Sequence, residues 1–214
     1  TSTHVLSGNA VITYTNNSPD TLRHLWLHLD SNWLKQDSRR MKVHGRGRTM
    51  DWLTGGVEVS AVRMLKDGSW SEVPYTRTDT RMQVRPAAPV SPDGDKIKLK
   101  IEYSYEIPSG GYSRHRVLTE LDRKIFSAAY WYPRMAVYDD VRGWNTLPFL
   151  GSGEFYMEFG DFEYAINVPC DIIVGGSGTL QNPEEVLTAE QRNRLDKART
   201  TDETTYIIKP AEVG

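Results

Sequence analysis

Two histidines four residues apart, in His24-Leu25-Trp26-Leu27-His28, have the spacing of a zinc-binding pair on a helix. The glutamate that would act as general base in such a motif is absent, and Leu25 stands in its place. The segment also alternates as a strand does, and four residues of strand set the imidazoles about 13 Å apart. One zinc needs both nitrogens at roughly 2.1 Å, so a strand cannot supply the pair. His24 and His28 are read as sheet-face histidines, and no metal is expected in this chain.

Other reactive side chains lack partners of the right kind. Cys170 follows Pro169, with no local base or orienting group to make it a nucleophile, and is read as a small buried residue. Gly175-Gly176-Ser177-Gly178 has the glycines of a phosphate cradle, but no Lys-Ser/Thr follows and no helix opens after it, so a turn or bulge is expected. Asn16-Asn17-Ser18 matches a glycosylation acceptor, with Pro19 next to it acting against use. Asp139, Asp140, Glu154 and Glu158 have the chemistry of an acid/base or calcium site, yet nothing in their spacing opposes them across a cleft.

The richest stretch is AAYWYPRMAVYDDVRGWN (128–145), which mixes aromatics with two arginines and two aspartates. Aromatic, charged segments that leave the end of a strand are suited to binding or interdomain contact. Tyr130, Tyr132, Arg134, Tyr138, Asp139 and Asp140 are therefore the candidates for a substrate-cleft or interdomain surface. The competing reading is a packed corner in which Arg134 and Arg142 pair with Asp139 and Asp140.

The elements that would position these residues are mostly strands. Period-two alternation marks 5–15, 22–29, 57–65, 70–76 and 81–86, and Asp67-Gly68 suits the tight turn of a hairpin. KIKLKIEYSYEI (96–107) is the longest strict alternation, with Ile97, Leu99, Ile101, Tyr103 and Tyr105 on one face. Further strands are expected at 124–132, 153–160, 162–169, 171–178 and 204–210. One helix is expected over 184–198, opened by a capping box of Thr188 and Gln191. Gly45-Arg46-Gly47-Arg48 falls in a long loop over 31–55. About ten strands with one short helix near the C-terminal end predict a mostly β fold, a saddle-like curved sheet or sandwich, in a single domain over 1–214.

Composition sets outer bounds. The 26 basic and 28 acidic residues leave a net charge of −2, so the chain as a whole offers no electrostatic case for nucleic acid or an anionic membrane. No apolar run reaches the length of a membrane span. The single cysteine leaves no internal disulfide. A first residue that is Thr rather than Met fits a piece excised from a longer protein, in which case a missing leader says nothing of location.

The block WYPRMAVYDDVRGWNTLPFLGSGEFYMEFGDFEYAINVP (131–169) closely resembles the end of the N-terminal β domain in bacterial relatives of aminopeptidase N and leukotriene hydrolase. These are zinc metallopeptidases of the gluzincin clan. The likeness extends back to AVITYTNNSPDTLRHLWLHLDSN (10–32) and on to SGTLQNPEEVLTAEQRNRL (177–195). It implies a saddle-shaped domain that packs on a separate thermolysin-like catalytic domain of its own chain and shapes a cleft for peptide. The zinc of that family is held by a His-Glu-x-x-His helix and a later Glu, and neither this motif nor the family's Gly-x-Met-Glu-Asn strand occurs in 1–214. Zinc and catalysis are thus expected in a following domain, and an exported bacterial protein is what the likeness implies. The family lends a Gln or Glu to the pocket for the substrate's amino terminus; here Tyr130 and Tyr132 stand at those positions. A phenol accepts a hydrogen bond but lacks the carboxylate charge that favours an ammonium group. A free-standing β-sandwich module for carbohydrate or protein is the alternative, motivated by six tryptophans and eleven tyrosines. An exposed flat row of tryptophans would mark such a module, whereas buried or edge-clustered ones would mark an interdomain surface.

Overall fold

The structure, a computed structural model, describes residues 3–45, 48–110, 114–120, 123–152 and 155–213. Its strands are β1 (Val5–Asn16), β2 (Leu25–His28), β3 (Glu58–Lys66), β4 (Ser69–Glu72), β5 (Tyr75–Thr78) and β6 (Arg81–Val84). They continue with β7 (Asp95–Glu106), β8 (Arg116–Glu120), β9 (Arg123–Ser127), β10 (Arg134–Met135), β11 (Tyr138–Asp139) and β12 (Gly143–Trp144). The helices are α1 (Arg39–His44), α2 (Pro183–Val186) and α3 (Ala189–Ala198), with 3-10 turns at Asp30–Leu34 and Pro210–Glu212. The fold is mostly β with a short helix toward the C-terminal end, as the alternation predicts. No helix among the described residues is long and apolar enough to cross a membrane. Contacts gather in two compact units, Thr1–Gly160 and Asp161–Gly214.

The first unit is built on two four-stranded antiparallel sheets, β1-β7-β3-β4 and β10-β2-β6-β5. Strand β7 sits inside the larger sheet, and its alternation decides which face is dry. Leu99, Ile101, Tyr103 and Tyr105 are buried, while Lys96, Lys98 and Glu106 on the strand are exposed. Across from them the smaller sheet contributes Leu25, Leu27, Met82 and Val84, all fully buried, to the same hydrophobic cluster. Gly8 of β1 stands opposite Tyr103, and a Cβ there would lie 2.6 Å from the phenol oxygen. Any larger residue at position 8 would displace that ring.

Several expected strands take another form. The run 70–76 divides at Val73-Pro74, because proline has no N–H for a ladder, and β4 and β5 pair into different sheets. The strand expected over 124–132 ends at Ser127 and pairs with β8, which alternation had not marked. No strand forms at 155–160, 162–169, 171–178 or 204–210; Gly153 and Glu154 lie outside the described residues. An alternating segment becomes a strand only where another backbone accepts its hydrogen bonds, and no described backbone forms a ladder with these. Their apolar side chains are accordingly exposed, among them Phe159, Phe162, Ile166 and Ile173. Cys170 is exposed rather than buried, and lies in a turn closed by the Ile172 N–H on the Pro169 carbonyl (3.0 Å). The long loop over 31–55 contains α1; Arg46 and Gly47 lie outside the described residues.

In the second unit the expected helix appears in two pieces. Leu187 interrupts it in an extended conformation (ψ 142°), and Thr188 restarts it as the N-cap of α3. The capping box is present in both directions: Gln191 N–H donates to Thr188 Oγ1 at 3.3 Å, and Thr188 N–H donates to Gln191 Oε1 at 2.9 Å.

The core assignment makes a quantitative prediction. Ile101→Ala is expected to lower unfolding free energy by about 2–5 kcal/mol, and Val11→Ala, on the exposed face of β1, by less than about 0.5 kcal/mol. Urea denaturation followed by tryptophan fluorescence measures both, and equal effects would contradict the core.

Candidate functional site

The candidate residues depend on a polar run that follows β2 into the core. Asp30, Ser31 and Asn32 are all buried, in a 3-10 turn that also buries Trp33 and Leu34. Polar groups taken out of water must find partners, and each of these finds one far along the chain. Asp30 receives Arg134 through two bonds, from Nε at 2.7 Å and Nη2 at 3.3 Å. Ser31 Oγ donates to the Tyr130 carbonyl at 3.1 Å. Asn32 donates to the Asp79 carbonyl at 2.8 Å and accepts the Val57 N–H at 2.7 Å. Three consecutive residues thereby fix the start of β3, the turn before β6, and the segment leading into β10.

Arg134 is the centre of the first group of candidates. Its third bond runs from Nη1 to the Tyr156 carbonyl at 3.1 Å, and its guanidinium lies 5.1 Å from the Phe155 ring centroid. Pairing with Asp30 replaces the Arg134–aspartate corner expected within 134–140. Tyr132 lies beside this pair, and burial raises its phenol above the usual range; Arg134 opposes that shift and Asp30 adds to it. Tyr130 has φ +58°, the left-handed region that a bulky residue rarely adopts. Its ring is packed by Phe155 (4.9 Å), Phe149 (5.5 Å) and His115 (6.0 Å). Tyr130, Tyr132 and Asp30 line one narrow crevice with Tyr103, Tyr105 and Trp131.

Tyr138, Asp139 and Asp140 form a second group on the β11–β12 hairpin. Asp139 Oδ1 accepts the Arg142 N–H at 2.8 Å and the Val141 N–H at 3.0 Å, which closes the turn and lowers the carboxyl pKa, the Arg142 bond contributing most. Tyr138 donates to Asp20 at 2.7 Å, the main cause of its raised pKa, and its ring meets Trp144 at 5.2 Å. Asp140 is exposed. Glu158 is exposed and adds to the burial that pushes Tyr14 up to about 12; Glu154 lies outside the described residues. Among the described residues no three His, Cys, Asp or Glu are grouped to hold a metal ion.

His28 is buried at the end of β2, and its Nε2–H donates to the Asn145 carbonyl at 3.0 Å, since a carbonyl can only accept. Burial, then the Arg134 charge, lowers its pKa, with Asp30 opposing. Arg81 Nη1 donates to the Thr146 carbonyl at 2.7 Å, so β2 and β6 together hold the strip after β12. The Asn16 glycosylation acceptor is fully buried. Its amide donates to the Asp20 and Ser91 carbonyls (2.8 and 2.9 Å), and its Oδ1 accepts from Ser18, so the side chain is a structural strut.

The tryptophans form no exposed row. Trp70 is 39% exposed, Trp33 is buried, and Trp26, Trp52, Trp131 and Trp144 are half-buried. Trp131 packs on Tyr132 (4.9 Å) and Trp33 on Trp52 (5.8 Å).

Sequence reasoning missed Asp30, Ser31, Asn32 and Arg81. The available signal was slight: an uninterrupted polar triplet immediately after a strand with no turn glycine or proline between them. Compared with known proteins, the chain matches no family model and no curated protein.

Two predictions follow from the buried groups. Asp30→Ala leaves a largely buried guanidinium without its carboxylate, with an expected cost of up to about 3–5 kcal/mol, and Asp30→Leu combined with Arg134→Met recovers most of it. Urea unfolding of the single and double variants tests the coupling, and additive losses would contradict it. The second concerns pH. Burial pushes His115 from an ordinary 6.5 down to about 4, against an opposing hydrogen bond to the Ala129 backbone. Between those values the unfolded chain binds a proton that the folded chain refuses, so stability is full above about pH 6.5 and falls as pH drops toward 4. From pH 7.5 to 5 the loss from this residue is on the order of 2 kcal/mol. His115→Gln should flatten the pH dependence by that amount in paired urea titrations.

Proposed function

We propose that this chain is a non-catalytic N-terminal domain of an aminopeptidase-like zinc metallopeptidase, one that packs on a catalytic domain and shapes its peptide cleft. The observation that carries the reading is the placement of the aromatic segment 130–149. Its aromatic rings lie half-buried beside β10, the edge strand of the smaller sheet, and the segment is held there by Asp30, Ser31, His28 and Arg81 rather than by a core of its own. Half-buried aromatics on a rigid support suit a surface that is completed by a second body. The resemblance of 131–169 supports the same reading. The tryptophans speak against a sugar-stacking module, since five of the six are buried or half-buried.

The arrangement has the parts of a scaffold. Among the described residues three of the candidates are engaged in holding the fold: Tyr138 is bonded to Asp20, Asp139 closes its own turn, and Arg134 is paired with Asp30. In the parent protein the zinc would polarise the peptide carbonyl and activate water from the neighbouring domain. Tyr132, whose phenol is raised by burial, would offer the cleft an uncharged hydroxyl and a ring rather than a carboxylate, which favours contact with apolar side chains over capture of a charged amine, while the enclosed Tyr130 ring would support it from behind.

The chain alone is expected to carry no stoichiometric zinc by elemental analysis and to leave an aminoacyl-nitroanilide uncleaved. The reading frame continued past Gly214 is expected to encode His-Glu-x-x-His. Hydrolysis by the 214-residue chain, or a frame without that motif, would overturn the proposal.

A further inference from the structure

Residues 38–50, SRRMKVHGRGRTM, carry five arginines and lysines and no acidic residue, in a chain whose net charge is −2. A charge average over 214 residues hides such a run. Its first part is α1, capped by Ser38, whose Oγ accepts the Met41 N–H at 3.3 Å. Met41 is buried and anchors the helix. Arg40 is half-buried, its guanidinium 4.4 Å from the Trp33 ring and 5.0 Å from the Trp52 ring. Arg39, Lys42, His44 and Arg48 are exposed, and Val43 among them is 55% exposed. The side chains of Arg39, Lys42 and Arg48 make no ion pair among the described residues. Of the nearby carboxylates, Asp79 accepts the Arg39 backbone N–H at 2.8 Å, Asp37 pairs with Lys35 at 3.6 Å, and Asp51, exposed, follows the stretch in sequence.

We infer that this patch, Arg39, Lys42, Val43 and Arg48, is a docking surface for an anionic phospholipid bilayer. Charge selects an anionic partner, and shape selects among anionic partners. Residues 38–50 line neither the crevice at Tyr130 and Tyr132 nor the hollow beside Gly8 and Ser104, and Val43 stands exposed on α1 with Arg39 and Lys42, a protruding shape that suits a headgroup layer better than an extended acidic peptide. Trp52 is half-buried and stacked with Trp33 and Arg40, so its ring is already engaged and poorly suited to stacking on a nucleic-acid base. A short exposed helix that presents cations around one apolar side chain suits a headgroup layer, where the cations meet phosphate and Val43 meets the acyl boundary. The inference does not depend on the proposed metallopeptidase role.

The test is co-sedimentation of the full chain with vesicles of 3:1 phosphatidylcholine and phosphatidylserine, against pure phosphatidylcholine, at low and high salt. Each cation near such a surface contributes roughly fivefold to partitioning, so Arg39→Gln/Lys42→Gln/Arg48→Gln should weaken binding by about 100-fold. Binding should also fall steeply with salt. Lys98→Gln/Lys100→Gln, on strand β7, should leave binding within about twofold if the effect is local rather than one of net charge. Val43→Glu, which places an anion inside the patch, gives the same reading should the triple variant fail to fold. Equal binding to neutral vesicles, or retention by the triple and Val43→Glu variants, overturns the assignment. Capture of poly-L-glutamate through the same three cations, without vesicle binding, would make the patch a protein-docking surface and overturn it too.

Discussion

The first unit depends on the burial of three consecutive polar residues, Asp30, Ser31 and Asn32, at the end of its hydrophobic core. A carboxylate, a hydroxyl and an amide removed from water are each costly unless bonded, and the cost of leaving one unbonded exceeds the net gain of an ordinary hydrogen bond. The requirement acts as a geometric selection. Conformations that place Arg134, the Tyr130 carbonyl, the Asp79 carbonyl and the Val57 N–H around the turn satisfy it, and those that slip any one segment do not. Hydrophobic burial alone is less discriminating, since Leu25 or Met82 would be stabilised by any apolar neighbour of suitable size.

The same logic operates at the other end of the core. Asn16 closes β1 by joining the Asp20, Val90 and Ser91 carbonyls, and so fixes where the chain leaves the larger sheet and where it returns to it. Between these two polar struts, β7 supplies the apolar stripe that the sheets share. The fold thus has a core specified by pattern and ends specified by hydrogen bonds.

That division explains how much was legible in the sequence. The strict alternation of 96–107 carries its own instruction, and β7 follows it nearly to the residue. The Thr188–Gln191 capping box is equally local, and it is present. The polar struts are not local. Asp30 and Arg134 are 104 residues apart, and nothing in the neighbourhood of either says which aspartate an arginine will meet. The segments after Phe155 fail for a related reason. Phe162, Tyr164, Ile166 and Val168 alternate as well as many true strands do, but a ladder needs a second backbone, which alternation cannot name. Strands of two residues, such as β10 and β11, are shorter than any period that a pattern could reveal. Of the candidate residues, Tyr130, Tyr132 and Arg134 do gather around one centre, whereas Tyr138, Asp139 and Asp140 belong to a hairpin with its own hydrogen bonds.

The left-handed backbone of Tyr130 draws these threads together. A non-glycine residue at φ +58° stores on the order of 1–3 kcal/mol, and it persists only where surrounding contacts over-determine it. Here the carbonyl is held by Ser31, the ring is enclosed by Phe149, Phe155 and His115, and the chain a few residues later is tied down by Arg134 on Asp30. Relaxing the residue to an ordinary φ would turn Trp131 and Tyr132 away from the crevice they line with Tyr103 and Tyr105. The buried triplet therefore does more than stabilise the fold. It sets the direction of the half-buried aromatics at 130–132, and if they meet a second body as proposed, that direction is fixed before contact, which spares the affinity that side chains ordered only on binding would subtract.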